Sequence, residues 1–280
     1  MYRQKLCIGL LPFRMSLEDQ LRLIRSTGFE GFFTGWAPED NRMHRRIADE
    51  LGLEYQSIHS NFMSAARMWR GGEGEREATR ELLDCVDTAA EVRVPIVVVH
   101  PYIGFEEQSA VTRSGLDAFR RVVESAAERN VRIAFENVEG EDYLAALMEE
   151  FQTMPNVGFC WDTGHEQCYN RGKDMMALYG DRLIATHFND NLGVSRYDGE
   201  IFWTDDLHLL PYDGITDWQS VADRINSHGY EGILTFELSI GNKPHRRDNE
   251  KYAKLSPEEY LAEAYARACR LGAAVLRGKG

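Results

Sequence analysis

Histidine, aspartate or glutamate ends six short apolar segments of this 280-residue chain. Each of these residue types binds divalent metal ions, through an imidazole nitrogen or a carboxylate oxygen. Burying an unpaired carboxylate costs on the order of several kcal/mol, and no Lys or Arg stands at these segment ends. We therefore expect a metal ion to supply the counter-charge. The six residues are His59, His100, Glu136, Asp162, His187 and Glu237, and three further candidates are His165, Asp206 and His208.

The tightest predicted group takes one residue from each of the last four apolar segments. Three carboxylates and one imidazole suit a hard or borderline divalent ion. We expect one ion per chain, Mn²⁺ or Zn²⁺ first, with Mg²⁺ and Co²⁺ as alternatives. The same donors disfavour copper and iron–sulfur chemistry. The members of this group are Glu136, Asp162, His187 and Glu237.

Apolar and amphipathic segments alternate along the chain in eight strand–helix units. Continuous β-branched runs such as that at 96–99 are typical of strands buried on both faces of a parallel sheet. The predicted strands cover 5–11, 31–35, 54–60, 94–100, 131–137, 157–162, 182–190 and 232–239. The predicted helices cover 16–28, 39–51, 75–91, 109–129, 142–152, 166–178, 216–228 and 256–276.

Eight such units close into a barrel, so we predict an α/β fold with a single (β/α)8 TIM-barrel domain over residues 1–280. A repeated pattern favours the barrel over an open doubly wound sheet. Residues 24–35 and 225–237 both contain a helix end, Gly, an aromatic residue, Glu and Gly before a strand. The loops after the strands form the active site of such barrels, which places the candidate residues at one mouth. The connection 190–215 is long enough to be a functional loop.

The excess of acidic residues argues against an extended nucleic-acid surface. The chain has 45 Asp and Glu against 32 Lys and Arg, and a net charge of −13 repels a polyanion. No segment approaches the ~20 apolar residues of a membrane span, and residues 1–13 lack the pattern of a signal peptide. Five cysteines without a CxxC pair favour a reducing compartment, so we expect a cytoplasmic protein.

Six motifs carry the candidate residues: SIHSNF, VVVHP, IAFEN, WDTGH, ATHFND and TFELS. In order and spacing they resemble the xylose isomerase-like TIM barrels. That superfamily contains sugar and sugar phosphate isomerases and epimerases, among them inosose isomerases and ketose 3-epimerases, together with the AP endonuclease family 2. The resemblance implies that Glu136 and Glu237 are a catalytic acid/base pair. It also implies that the metal ligands are Glu136, Asp162, His187 and Glu237.

The implied function is a metal-dependent isomerase or epimerase of a sugar, sugar phosphate or inosose. It would act by proton transfer next to a carbonyl, through an enediolate. The expected partner is a small ketose, ketose phosphate or keto-polyol, with no nucleic acid and no membrane. Arg196 is a departure, because the epimerases often have an Arg shortly after the strand-7 histidine and here the nearest is nine residues on. The candidate substrate-binding residues are His59, His100, His165, Asp206, His208 and Arg196.

A phosphodiesterase of the AP endonuclease type, with three zinc ions, is the alternative. Its pattern uses nine metal ligands, and this sequence has a candidate for each. The net charge and the lack of basic DNA-contact loops argue against it. A metal count per chain separates the two, since about one ion favours the isomerase and three favour the nuclease. A sugar-binding barrel that has lost catalysis is a third class. It predicts that at least one of Glu136 and Glu237 is replaced, and both are present.

Three further features leave a functional and a structural interpretation open. The basic loop 241–251 would be either an anchor for a phosphate or carboxylate, or a solvated loop. Trp36, Phe62 and Trp69 would either wall the pocket or pack the loops. Helix 256–276 would either pack on the barrel or contribute to a homo-oligomer.

Overall fold

Eight parallel strands and nine α-helices alternate in this computed structural model, which describes residues 4–103, 110–196 and 200–278. The strands are β1 (Leu6–Gly9), β2 (Gly31–Gly35), β3 (Glu54–His59), β4 (Ile96–Val99), β5 (Arg132–Glu136), β6 (Val157–Asp162), β7 (Leu183–His187) and β8 (Leu234–Phe236). The helices are α1 (Leu17–Thr27), α2 (Pro38–Leu51), α3 (Gly72–Glu91), α4 (Arg113–Glu128), α5 (Glu141–Glu150), α6 (Thr163–Cys168), α7 (Met175–Tyr179), α8 (Trp218–Ser227) and α9 (Pro257–Arg277). Over these ranges, no helix is both long enough and apolar enough to cross a membrane.

The strands form one nearly closed sheet, which confirms the predicted TIM barrel. Its order is β7-β6-β5-β4-β3-β2-β1-β8, and each of these seven junctions is a parallel ladder. An isolated bridge between Phe188 and Phe236 joins β7 to β8 in place of a ladder. Phe188 N donates to Thr235 O at 2.8 Å, and Glu237 N donates to Phe188 O at 3.2 Å.

The prediction of one helix over 166–178 is wrong, because two short helices, α6 and α7, occupy this region. Asp162 sets the early start of α6, since its Oδ1 accepts a hydrogen bond from His165 N at 2.6 Å and caps the helix. The last residue of β6 is therefore also the N-cap of α6. Left-handed backbone at Arg171 (φ 56°) and Gly172 (φ 74°) separates α6 from α7.

Several other predicted segments are shorter than expected, among them one strand and one helix near the site. The strand predicted over 232–239 is limited to β8, because the chain beyond it bonds to a loop, with Ser239 N donating to His208 O at 2.9 Å. The helix predicted over 109–129 begins at Arg113, where the Thr112 side chain accepts a hydrogen bond from Gly115 N. Residue 109 lies outside the described residues.

Strand periodicity places the polar strand ends above an apolar interior. Residues two apart on a strand point to the same face of the sheet. A buried cluster inside the barrel contains Ile96, Val98, Ala134, Cys160 and Ala185. The next residues on those faces are His100, Glu136, Asp162 and His187. The apolar layer closes the barrel from below, so these polar groups can be reached only from the mouth.

Protonation of His44 on α2 makes the stability of the barrel depend on pH. Its ring is buried beside Phe32 and Tyr55, with centroids 6.2 and 6.1 Å away, and its Nδ1 has no hydrogen-bond partner among the described residues. Burial lowers the pKa of His44 to about 4, with Asp40 opposing the shift. Because the unfolded chain binds this proton more tightly, stability is fully present above pH ~6.5 and is lost as pH falls towards 4.

We expect the free energy of unfolding to fall between pH 7 and 4.5 by about 2 kcal/mol less in His44→Leu than in the native chain. Urea unfolding followed by circular dichroism measures this difference. The exposed His245 provides the matched control, and His245→Asn should keep the native pH dependence. Equal slopes for His44→Leu and the native chain would contradict the assignment.

Candidate metal centre

Four polar side chains meet at the mouth of the barrel, three from the last residues of β5, β6 and β7 and one from the residue after β8. They are Glu136, Asp162, His187 and Glu237. His187 Nδ1 lies 2.8 Å from Glu136 Oε1 and 3.0 Å from Glu237 Oε2. One ligand atom from each of the four lies within 4.8 Å of the others. The structure thus brings together the four residues that the sequence grouped.

Three of these side chains are buried and that of Glu237 is half-buried, and the four perturb one another strongly. Burial alone would raise the pKa of Glu136, but the surrounding imidazoles, His187 first, hold it well below its usual range. His187 likewise holds the pKa of Glu237 at about 2 against the effect of burial. Burial raises the pKa of Asp162 to about 6, with His165 opposing the shift and Glu136 adding to it.

This donor set fits a divalent cation. Within the described ranges, the ion-pair partners of Glu136, Asp162 and Glu237 are all histidines, and neither Lys nor Arg contacts them. Two buried carboxylates and the half-buried carboxylate of Glu237, balanced only by imidazoles, are an unfavourable arrangement that a metal ion relieves. Oxygen donors with one imidazole nitrogen suit Mn²⁺ or Zn²⁺, and Asp162, Glu136, His187 and Glu237 would hold the ion.

Two asparagines to which the sequence gave no role hold Asp162 in place. Asn189 Nδ2 donates to Asp162 Oδ2 at 2.8 Å. The Asn137 side chain donates to the Asp162 carbonyl and accepts from its N–H, both at 2.8 Å. Gly164 leaves room for Asn189, because a Cβ there would lie 1.9 Å from Asn189 Oδ1. The only sequence signal was proximity, since Asn137 follows Glu136 directly and Asn189 lies two residues after β7.

A second group lies beside the first and consists of His165, Asp206 and His208. His208 Nε2 donates to Asp206 Oδ2 at 2.9 Å, and His165 Nε2 lies 3.5 Å from Asp206 Oδ1. Asp206 raises the pKa of His208 to about 9, although burial opposes the shift. The His208 backbone is left-handed (φ 49°), a conformation that costs about 1 kcal/mol or more and clusters at functional sites. His165 Nδ1 lies 3.7 Å from Glu136 Oε1, which joins the two groups.

His59 and His100 approach Glu136 from its other side. Their Nε2 atoms lie 3.2 and 3.3 Å from Glu136 Oε2 and 3.2 Å from each other. The two oxygens of Glu136 therefore face different imidazoles, Oε1 towards His187 and Oε2 towards this pair. Burial lowers the pKa of His100 to about 4, so its imidazole is neutral near pH 7 and can act as a ligand.

The structure does not bring Arg196 into this cluster. Its guanidinium is exposed, pairs with Glu200 at 2.8 Å and lies 5.0 Å from the centre of the Phe202 ring. The other nine candidate residues for metal or substrate binding lie together at the mouth of the barrel.

The aromatic candidates separate into different roles. Phe62 stacks on the His100 ring with centroids 5.1 Å apart and is partly exposed, so it can form one wall of the site. Trp69 is fully buried in the core. Trp36 Nε1 donates to Thr88 Oγ1 at 3.0 Å, which is a packing contact between loop and helix.

Comparison with known proteins places this geometry in a family context. The family model for xylose isomerase-like TIM barrels matches residues 21–264. The chain is 30% identical to the uncharacterized protein y4fM of Sinorhizobium fredii, covering 91% of this chain and 88% of that protein. It is 26% identical to the rhizopine catabolism protein MocC of Rhizobium meliloti, covering 92% of this chain and 85% of that protein.

Solved structures with a similar fold include sugar epimerases. A D-psicose 3-epimerase from Clostridium cellulolyticum H10, solved with D-tagatose, has a TM-score of 0.74 at 13% identity, covering 97% of this chain and 99% of that one. The IOLI protein with a bound zinc atom has a TM-score of 0.74 at 16% identity, covering 96% and 98%. A xylose isomerase-like TIM barrel/4-hydroxyphenylpyruvate dioxygenase fusion protein has a TM-score of 0.73 at 17% identity, covering 99% of this chain and 44% of that one. At these identities the likeness concerns the fold.

The hydrogen bond from Asn189 to Asp162 predicts a measurable effect on metal binding. In Asn189→Ala, Asp162 loses the hydrogen-bond donor that orients its Oδ2, and we expect the Kd for Mn²⁺ or Zn²⁺ to rise about 10- to 100-fold. Competition with a fluorescent chelator measures the Kd. Asn156→Ala is the control, because it likewise removes a side-chain amide donor, which here bonds to Val123 O just before β6 and away from the site. An unchanged Kd in Asn189→Ala would show that Asp162 is not held in this way.

Proposed function

The chain belongs to the xylose isomerase-like TIM-barrel family, and on that premise we propose that it is a metal-dependent isomerase or epimerase. Its substrate would be a ketose, a ketose phosphate or a keto-polyol. The observation that carries the proposal is the position of His187 Nδ1, within 3.0 Å of both the Glu136 and the Glu237 carboxylates. The structural neighbours support this class of reaction, since one is a D-psicose 3-epimerase and another carries a zinc atom.

Two carboxyl groups beside one substrate carbon can exchange its proton. A bound divalent ion supplies polarisation of the substrate carbonyl, which acidifies the adjacent C–H bond. One of Glu136 and Glu237 accepts that proton, and the electron pair of the broken bond spreads into an enediolate. The other glutamate also has a low pKa, so it first takes up a proton from water or from a substrate hydroxyl. It then delivers that proton to the opposite face in an epimerisation, or to the neighbouring carbon in an isomerisation.

The surrounding side chains suit a polyhydroxylated substrate. Asp206 Oδ1 is buried and has no hydrogen-bond partner in the described parts of the chain, so a substrate hydroxyl can donate to it. His165 Nε2, 3.5 Å from that oxygen, can bind the same hydroxyl. Phe62 offers an aromatic face to the apolar side of a sugar. We propose that His59 and His100 complete the polar wall.

Exchange of substrate hydrogen for deuterium tests the proposal directly. We expect a panel of ketoses, ketose phosphates and inososes, incubated with the Mn²⁺-loaded protein in D₂O, to contain at least one member that gains deuterium next to its carbonyl. Nuclear magnetic resonance detects this gain before the product is identified. No deuterium uptake in any member would contradict the proposal.

The two glutamates should be required for this exchange. Glu136→Gln and Glu237→Gln keep an oxygen ligand but lose the proton acceptor, so we expect each to slow exchange at least about 10³-fold. Metal content and circular dichroism, measured in parallel, separate loss of proton transfer from loss of the ion or the fold. Glu141→Gln, at the start of α5 where the carboxylate pairs with Lys173, is the control and should exchange at the native rate. Full activity in both site variants would exclude this mechanism.

A trinuclear phosphodiesterase remains the second candidate, and one observation favours it. Glu136 Oε2 faces His59 and His100 while Oε1 faces His187, so each of its oxygens could serve a different set of ligands in a site that holds more than one ion. With the His165–Asp206–His208 group, all nine predicted ligands come together at the mouth. The net charge of −13 opposes binding to DNA.

The metal content decides between the two functions. We expect about one tightly bound ion per chain after dialysis, measured by inductively coupled plasma mass spectrometry, and no cleavage of a DNA duplex with an abasic site. Chelation should abolish deuterium exchange, and added Mn²⁺ should restore it. Three zinc ions per chain together with cleavage of that duplex would establish the phosphodiesterase instead.

A further inference from the structure

The loop after β8 is folded against the loop that carries Asp206 and His208. Ser239 N donates to His208 O at 2.9 Å. The fully buried Asn249 donates to both Leu207 O, at 3.0 Å, and Ser239 O, at 2.9 Å. The basic loop 241–251 is therefore attached to the second group of the site, and it is not a freely solvated loop.

Within this loop, Lys243 points at Asp206. Its ammonium lies 3.3 Å from Asp206 Oδ2, the same oxygen that accepts the hydrogen bond from His208. The Lys243 side chain is 22% exposed and that of Asp206 10%, and the ammonium lies 5.7 Å from the centre of the Trp203 ring. A largely buried, hydrogen-bonded contact is screened much less than a surface ion pair.

The two ligand groups therefore differ in charge compensation. Among the described residues, Lys243 pairs with the carboxylate of the His165–Asp206–His208 group, whereas Glu136, Asp162 and Glu237 form ion pairs with histidines only. Yet both groups have ligand atoms close enough to hold an ion. Coordination geometry alone therefore does not determine which group takes a metal.

We propose that Lys243 is the resident cation of the His165–Asp206–His208 group and keeps a metal ion out of it. A divalent ion bound there would lie a few ångströms from the ammonium, and the two cations would repel each other in a poorly screened environment. Asp206 Oδ1 and His165 Nε2 then stay available to the substrate. This inference rests on the proposed function for its view of that group as a substrate subsite. Lys243 acts through Asp206 and is a positioning residue.

Removal of the ammonium should convert this group into a metal site. We expect Lys243→Met to bind about one ion more per chain than the native protein after equilibration with Zn²⁺ and dialysis. Mass spectrometry gives the count, and the visible absorption of Co²⁺ shows a second coordination environment. The double variant Lys243→Met/His208→Gln should lose the additional ion, because it lacks one of the three ligands.

Two further variants separate charge from loop structure. Lys243→Arg keeps the cation and should bind as many ions as the native chain. Arg246 lies in the same loop as Lys243, and its guanidinium forms an ion pair with Asp205 at 2.6 Å. Arg246→Met removes this ion pair and should also leave the number of bound ions unchanged. Circular dichroism checks that each variant folds, and Lys243→Gln provides a polar substitute if Lys243→Met does not.

The inference is overturned if the native protein already holds an ion at His165, Asp206 and His208, or if neither Lys243→Met nor Lys243→Gln gains one. It is also overturned if Arg246→Met gains the ion equally, because loop packing would then be the cause. The proposed isomerase is judged separately by deuterium uptake, which these counts do not measure. The two ideas can therefore fail independently.

Discussion

One imidazole meets three carboxylates at the barrel mouth, two of them buried and that of Glu237 half-buried, and in the described chain these carboxylates form no ion pair with Lys or Arg. Such an arrangement is unfavourable without a cation, because buried carboxylates repel one another in a medium of low polarity. The polar contacts around it reduce that cost. His59 and His100 face the outer oxygen of Glu136, and Asn189 donates to Asp162. The mouth is thus organised around a positive charge that the protein does not itself supply.

The barrel provides the rigidity that this arrangement needs. Three of the four side chains are the last residues of hydrogen-bonded strands, and for Glu136 and Asp162 these strands have ladders on both sides. The apolar layer below them, which includes Ala134 and Ala185, prevents water from entering from the opposite end. Asp162 has a double role, as a site residue and as the N-cap of α6, so one side chain joins strand, helix and site.

The polar strand ends could be predicted from sequence because each interrupts an apolar run, and parallel strands of a barrel end at the same mouth. The partners of those residues could not, since the paths of Asn189 and Lys243 depend on loops that no local pattern determines. The division of the segment 166–178 into two helices could not be predicted either. In the sequence, Asp162 looks the same whether it is a metal ligand, a helix N-cap or both. Arg196 was chosen by its order along the chain, and the structure pairs it with Glu200 instead.

The junction between β7 and β8 has a mechanical consequence. The seven other junctions are ladders, while one isolated bridge connects these two strands. Local opening of the hoop of strands should therefore begin there. His187 and Glu237 lie on opposite sides of this junction, so a ligand that binds both side chains also links the two strands. The free energy needed to open the barrel between β7 and β8 then depends on ligand binding at the mouth as well as on the backbone hydrogen bonds.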